Sequence, residues 1–406
     1  LQHLHKNFSS FFKRYWLPFY DQIALPNMLQ FHTIYNALTT FADRLMVRAQ
    51  QEQHALALFF DVFRLQSSLC SRYDDAQIAH TVAAIPVEEP TFKQSVPMRP
   101  SALTLCATDG SQIFPDRHLN ADFFLLNTSH IIFHIGTTEK PTLQSHAQLY
   151  DIAQLEHEFQ LEEDEEPQVS SEVVTALRQE EELRTLLHAA RSAEQDALPL
   201  LALADGTLIC WHLKRIKTLS LQHSFVARYA GLLAQFRQHR LTLASYISRP
   251  SSKEVVNLLQ VLLRPELDAA QINLPNTLND AAFFANFLCA GERSAIFSSR
   301  SEMLAHYDTA DRIYFFYLHT GQEIARIEFP SWCYDSGKVD FIHATIFDDL
   351  KKGGGYPMTL TEAHEQATIK PSDQEEFYRL LQQICSTKGY ALNYSAKSLS
   401  KRISKL

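Results

Sequence analysis

The sequence predicts an α/β protein: a mixed sheet flanked by helices, with a helical N-terminal extension and further helices inserted in the second half. Three observations carry this. Two short apolar runs, at 103–107 and 198–204, each lead into an Asp-Gly pair. A helical pattern lies between them, and strand-pair patterns follow the first run and recur at 312–329.

Taken in order, residues 1–80 read as helices, with apolar residues at helical spacing from Leu29 to Val47 and again from Glu52 to Leu69. Ile85 to Pro100 holds four prolines and no helical period, and reads as a connector. Leu103 to Ala107 is a short strand running into Asp109-Gly110-Ser111. Asp122–Asn127 and His130–Ile135, parted by Thr128-Ser129, read as a β-hairpin. The acidic stretch 156–166 reads as a solvated loop or surface helix. Ser170, a candidate N-cap, opens a helix to Ala190 with Val173, Leu177, Leu183 and Leu187 on its apolar side. The second strand, Leu198 to Ala204, ends at Asp205-Gly206-Thr207. Helices are expected over most of 215–247, over 253–263 and near 279–289. A second hairpin pairs Arg312–Leu318 with Glu323–Phe329, its alternating aromatics Tyr314 to Tyr317 serving mainly as core. A glycine loop at 353–355, helices near 359–367 and 373–386, and a basic tail complete the chain.

The 406 residues allow two or three domains at roughly 100–200 residues each. A hydrophobic content of 46% and a charged content of 20% are those of a globular chain. The net charge of −9 excludes a general basic coat for non-specific nucleic-acid binding, and leaves room for a local basic groove. The six cysteines form no C-x-x-C pair, which points to buried, reduced thiols in a cytoplasmic protein, with no zinc site and no disulfide framework. No run reaches the ~18 apolar residues of a membrane span, and no signal-peptide pattern is visible.

The chemistry centres on carboxylates. Asp109 and Asp205 each stand at the end of an apolar strand beside a glycine that permits a sharp turn. If those strands are neighbours, two like charges meet and make a site for a hard divalent cation. Asp-Gly is also a common turn dipeptide, but two copies in matching strand contexts weaken that reading. The intervening helix carries Glu180-Glu181-Glu182 and can add a third carboxylate; the competing reading is that all three face water and pair with Arg178 or Arg184. Spacing alone does not choose among them. Strand with Asp, hairpin, helix with Glu, strand with Asp is the order of an RNase H-like metal nuclease core. There, two cations about 3.5–4 Å apart activate water and stabilise the leaving oxygen. Asp205-Gly206-Thr207 also suggests an aspartyl-phosphate hydrolase, but the nucleophile of that motif would fall on Leu203, and Ala107 holds the same place before Asp109.

Several segments in order make the chain resemble the NurA family of DNA-repair nucleases over roughly residues 100–405. They are Ala107-Thr108-Asp109-Gly110-Ser111-Gln112, Leu201 to Leu208, Ile324 to Pro330, Gly354-Gly355-Tyr356-Pro357 with Glu362-Ala363-His364-Glu365, and Ser395-Ala396-Lys397 with Lys401. The resemblance implies an RNase H-like fold and a Mn²⁺-dependent nuclease, with Mg²⁺ as the alternative ion. It implies 5′–3′ exonuclease and single-strand endonuclease activity on DNA, in end resection or phage defence. It also implies a homodimer docked on a HerA-type hexameric ATPase. By position, Asp109 and Asp205 match metal ligands and His364 the C-terminal active-site histidine. Glu182, followed by Leu183 and Leu186, best fits the helix ligand, with Glu181 close behind. Tyr356 joins the site, and Lys397 and Lys401 contact the DNA backbone. Thr207 stands where many relatives have Ser. On this reading residues 1–100 are a helical region and connector. Residues 101–406 are the nuclease domain, with an acidic loop at 156–166 and a helical insertion at about 215–290. A weakly catalytic docking subunit of the ATPase, or an RNase on the same fold, are the competing expectations.

Overall fold

A computed structural model describes residues 31–65, 82–114, 123–152, 155, 159, 170–194, 198–263 and 278–392. The chain divides into two compact units, Leu1–Ala57 and Leu58–Leu406. The described part of the first is helical, belonging to α1 (Phe31–Leu65).

The second unit is built on one eleven-stranded sheet. Its heart is β3 (Leu103–Ile113), β4 (Phe123–Ile135) and β5 (Thr142–Asp151), an antiparallel meander. Helix α2 (Ser171–Ala193) then crosses back, so that β6 (Leu200–Asp205) pairs parallel with β3. After α3 (Leu219–Gln238), β7 (Thr242–Ile247) adds parallel to β6. The order β5-β4-β3-β6-β7 is the RNase H-like one. Beyond β7 the sheet continues antiparallel through β11 (Ile324–Pro330) and β10 (Ile313–His319), the foreseen hairpin. Four two-residue strands finish that side: β1 (Ile85–Pro86), β2 (Lys93–Gln94), β8 (Arg293–Ser294) and β9 (Phe297–Ser298).

Alternate side chains of the central strands feed two cores. Cys106, Phe124 and Leu126 pack with Val174, Leu177 and Leu186 of α2 and Phe236 of α3. On the other face Leu103, Leu105, Ala107 and Leu203 pack with helices α7 (Val339–Lys352) and α8 (Met358–Ala367). Two-sided burial explains why β3 and β6 read as unbroken apolar runs. Among the described residues the remaining α-helices are α4 (Glu254–Leu263), α5 (Asp280–Phe287), the short α6 (Ser331–Asp335) and α9 (Pro371–Thr387).

The structure corrects several expectations. Residues 123–135 are one strand, and the supposed turn Thr128-Ser129 lies mid-strand opposite Gly110 and Asp109. Ser129 marks where α8 touches the sheet. The helix expected to run to 247 stops at Gln238, and 242–247 is a central strand, so the stretch 215–290 is not helical alone. The connector 85–100 contributes two edge strands. β5 and α7 were not foreseen. The acidic positions of 156–166 and Lys397 and Lys401 lie outside the described residues. Among the described residues no helix is long and apolar enough to cross a membrane.

Candidate active site

The parallel register of β3 and β6 places Thr108 opposite Ala204, so Asp109 and Asp205 are the next residues of two neighbouring strands. Asp205 ends β6 as expected; Asp109 stands within β3, which runs four residues past it. β6 stops because Gly206 takes φ 82°, a left-handed value that favours glycine, and the chain turns out of the sheet there.

Helix α2 carries the three glutamates, and the structure places them in different surroundings. Glu180 is buried and held by Arg184 and Arg228, while Glu181 pairs with Arg184. Glu182 alone turns towards β3. Its backbone carbonyl accepts from Thr108 Oγ1 at 3.1 Å, and its carboxylate lies 3.3 Å from an Arg178 nitrogen. The same guanidinium donates to the Gly110 carbonyl at 2.7 Å. A Cβ on Gly110 would sit 2.6 Å from Glu182 Oε1, so this glycine lets α2 come close enough to deliver its glutamate.

Helix α8 closes the other face. Ser129 Oγ donates to the Ala363 carbonyl at 2.7 Å, and Ser111 and Asn127 donate to that of Ala367. With the helix pinned along β3 and β4, His364 Nδ1 meets Asp109 Oδ2 at 2.7 Å. Tyr356, in the loop before α8, donates from its hydroxyl to Asp205 Oδ1 at 3.0 Å and stands edge-on to Tyr246. Gln322, from the β10–β11 turn, braces this loop through the Gly354 carbonyl at 3.0 Å. All five expected residues therefore meet at one end of the sheet, contributed by β3, α2, β6, α8 and one loop.

The electrostatics are those of a site short of positive charge. Burial pushes the Glu182 carboxyl up to about 8; Arg178 opposes this, and the charges of Asp109 and Asp205 add to it. Burial also raises Asp205, opposed by the Tyr356 hydroxyl and reinforced by Asp109. Tyr356 rises well above its ordinary value through burial and the neighbouring Asp205. Glu182 Oε1 is a buried oxygen without a hydrogen bond.

A hard cation fits this donor chemistry: three carboxylates, mutually repelling, one with a buried oxygen that has an ion pair to Arg178 but no hydrogen bond. Among the described residues no three His, Cys, Asp or Glu side chains already converge as a cation cage. Arg178, His364 and Tyr356 engage the three carboxylates instead.

Arg178, named from the sequence as a partner for the helix glutamates, pairs with Glu182 four residues on. Sequence reasoning missed one contributor. Glu328 reaches the Asp205 turn from β11, accepting from Thr207 Oγ1 and Leu208 N at 2.8 Å each. Its separation of some 120 positions left no local signal.

A family model described as the NurA domain matches residues 103–369, about two thirds of the chain. The fold is similar to that of the NurA nuclease from Sulfolobus solfataricus, with a TM-score of 0.54 over 89% of this chain and 98% of that one. At 12% identity this likeness is one of fold. No curated protein matches the sequence significantly.

Proposed function

The chain belongs to the NurA family, and from that premise we propose that it is a divalent-metal-dependent nuclease hydrolysing the phosphodiester backbone of DNA. The observation that carries this is the meeting of Asp109, Glu182 and Asp205, from two parallel strands and a crossing helix, in surroundings that leave their charge undercompensated.

Asp109, Glu182 and Asp205 would hold Mn²⁺ or Mg²⁺, with His364 as a further ligand or proton carrier. A cation there supplies charge stabilisation at the phosphate and lowers the pKa of a bound water. The remaining chemistry falls to the chain's own side chains. Asp109 faces Nδ1 of His364 and, as an acceptor, holds the proton on that nitrogen. Nε2 then keeps its lone pair, and with a side chain 73% exposed the imidazole is open to a substrate or an attacking water. Tyr356 fixes the rotamer of Asp205 through its hydroxyl.

The finer reading follows the family: 5′–3′ exonuclease and single-strand endonuclease action, in end resection or phage defence. The working form is a homodimer docked on a HerA-type hexameric ATPase, in the cytoplasm. Lys397 and Lys401 contact the backbone of the DNA.

Labelled single-stranded DNA and RNA of one sequence, incubated with the whole chain and Mn²⁺, test this. DNA digestion is expected, and Asp205→Asn should reduce it by roughly a thousandfold, in line with loss of a metal-assisted step, while the circular dichroism spectrum stays unchanged. Undiminished cleavage by that variant sinks the site assignment. Preference for RNA would make this an RNase. No digestion, alone or with the ATPase, would make it a docking subunit.

A further inference from the structure

Glu328 lies two strands from Asp205 and is 1% exposed. The sheet register puts Glu328 opposite Ser245, Ser245 opposite Ala204, and Ala204 opposite Thr108. Partners in register share a face, so these four side chains form one row across β11, β7, β6 and β3. The row faces α2, because Thr108 donates to the Glu182 carbonyl. Its middle members are small, which leaves Glu328 a path towards the turn that follows Asp205.

That turn ends on the glutamate. Oε2 of Glu328 accepts from Thr207 Oγ1 and from Leu208 N, each at 2.8 Å. Thr207 Oγ1 in turn accepts from Ile209 N at 3.0 Å, and Gly206 N donates to the Tyr246 carbonyl at 3.0 Å. Oε1 of Glu328 is held at 2.8 Å by Nε of Arg326. Arg326 is buried too, ion-paired with Glu254 at 2.8 Å and stacked 3.6 Å from the Phe315 ring centroid. Glu328 therefore has little freedom to move, and the residues just past Asp205 are fastened to it by a hydroxyl and an amide.

We propose that Glu328 is a positioning residue of the candidate metal site: through Thr207 and Leu208 it fixes the turn that aims the Asp205 carboxylate. The row gives the site a common footing, since one end steadies the strand terminus bearing Asp205 and the other the helix bearing Glu182. The same logic gives residue 207 its chemistry. Thr or Ser serves there because the position must donate a hydroxyl proton to a buried carboxylate, and valine of the same shape cannot.

This inference rests on the metal-nuclease reading, and the test separates the two. Mn²⁺ binding to the full-length chain is titrated by the loss of the free-ion paramagnetic resonance signal, alongside DNA digestion against Mn²⁺ concentration. Thr207→Val should raise the half-saturating Mn²⁺ concentration by about tenfold, roughly the worth of one support around a metal ligand. Digestion should return towards the wild-type rate at saturating ion. Thr207→Ser should behave as wild type, and Glu328→Gln should follow Thr207→Val. A merely structural role would lower the melting temperature without moving the metal dependence. Unchanged Mn²⁺ affinity in folded Thr207→Val and Glu328→Gln, beside a wild type that binds Mn²⁺, overturns the positioning role alone. Absence of Mn²⁺ binding by the wild type overturns both readings.

Discussion

Asp280, Glu254 and Glu328 are buried carboxylates gathered near Arg326, and donors meet each of them. Asp280 accepts from Ser252, Tyr317 and the amides of Val255 and Val256. Glu254 accepts from Arg326 and Ser299, and Glu328 from Arg326, Thr207 and Leu208. Asp109, Glu182 and Asp205, on β3, α2 and β6, stand under different terms. Glu182 keeps one oxygen without a hydrogen bond, and its best cation, Arg178, is shared with a backbone carbonyl. The first cluster is satisfied by donors of the chain, while the second keeps a buried oxygen without a hydrogen bond, the opening that the proposed cation would fill. The two also differ in burial: Asp280, Glu254 and Glu328 are buried, whereas Asp109 and Glu182 are half-buried and Asp205 is exposed.

The largest stability effect should come from breaking the complete cluster. Arg326→Met removes the cation between Glu254 and Glu328 and leaves both buried without their main partner. Loss of one member of a buried ion pair costs about 3–5 kcal/mol, and two orphaned carboxylates place this variant at the upper end. Urea unfolding measures it. A loss below about 1 kcal/mol, the range of surface pairs, would mean that the Arg326 cluster is not the fully satisfied unit described.

The incomplete cluster should answer with the opposite sign. Glu182 has a folded-state value of about 8 against an ordinary 4.5. Between those values the unfolded chain gives up a proton that the folded one keeps, so its contribution to stability declines as pH rises and is lost above about 8. Glu182→Gln does not titrate. In chelator-treated buffer its melting temperature should overtake that of the wild type by a few degrees. The gap should widen from pH 5 to pH 8 and then level off, while DNA digestion is lost. A gap that stays constant with pH would remove the claim that this carboxylate is held against its preference.

How far these clusters could be read beforehand follows from what their residues do locally. β3 and β6 carry their burial in consecutive apolar residues, and the Asp-Gly steps stand out against them, so Asp109 and Asp205 were legible. Tyr356 and His364 became legible through the ordered family segments, since nothing about a lone histidine marks it. β4 was misread because Thr128 and Ser129 look like a turn, although Ser129 is polar in order to bind the α8 backbone. β5 gave no alternation because it lies at the end of the strand order, with most of its residues exposed. β7 follows α3 without a proline or glycine to announce the change, and its apolar run suits helix and strand alike. The Arg326 cluster was illegible for another reason: its members come from α4, α5 and β11, far apart in the chain, and only the packing of helices on the sheet brings them together.

The smallest expected effect decides the one site assignment that spacing left open. Glu181 and Glu182 are consecutive, yet the helix turns them by about 100°. Glu182 faces Gly110, while Glu181, 25% exposed, rests on Arg184, which also holds Glu180. Removing the Glu181 charge therefore leaves Arg184 with a partner and takes no oxygen from the three-carboxylate site. Glu181→Gln should digest DNA within about twofold of wild type and melt within about 2 °C of it, as befits a surface pair worth under 1 kcal/mol. Measured beside Glu182→Gln, it isolates a single position on the helix. A loss of digestion in Glu181→Gln equal to that in Glu182→Gln would move the third ligand one residue back and undo the geometry argued from Gly110.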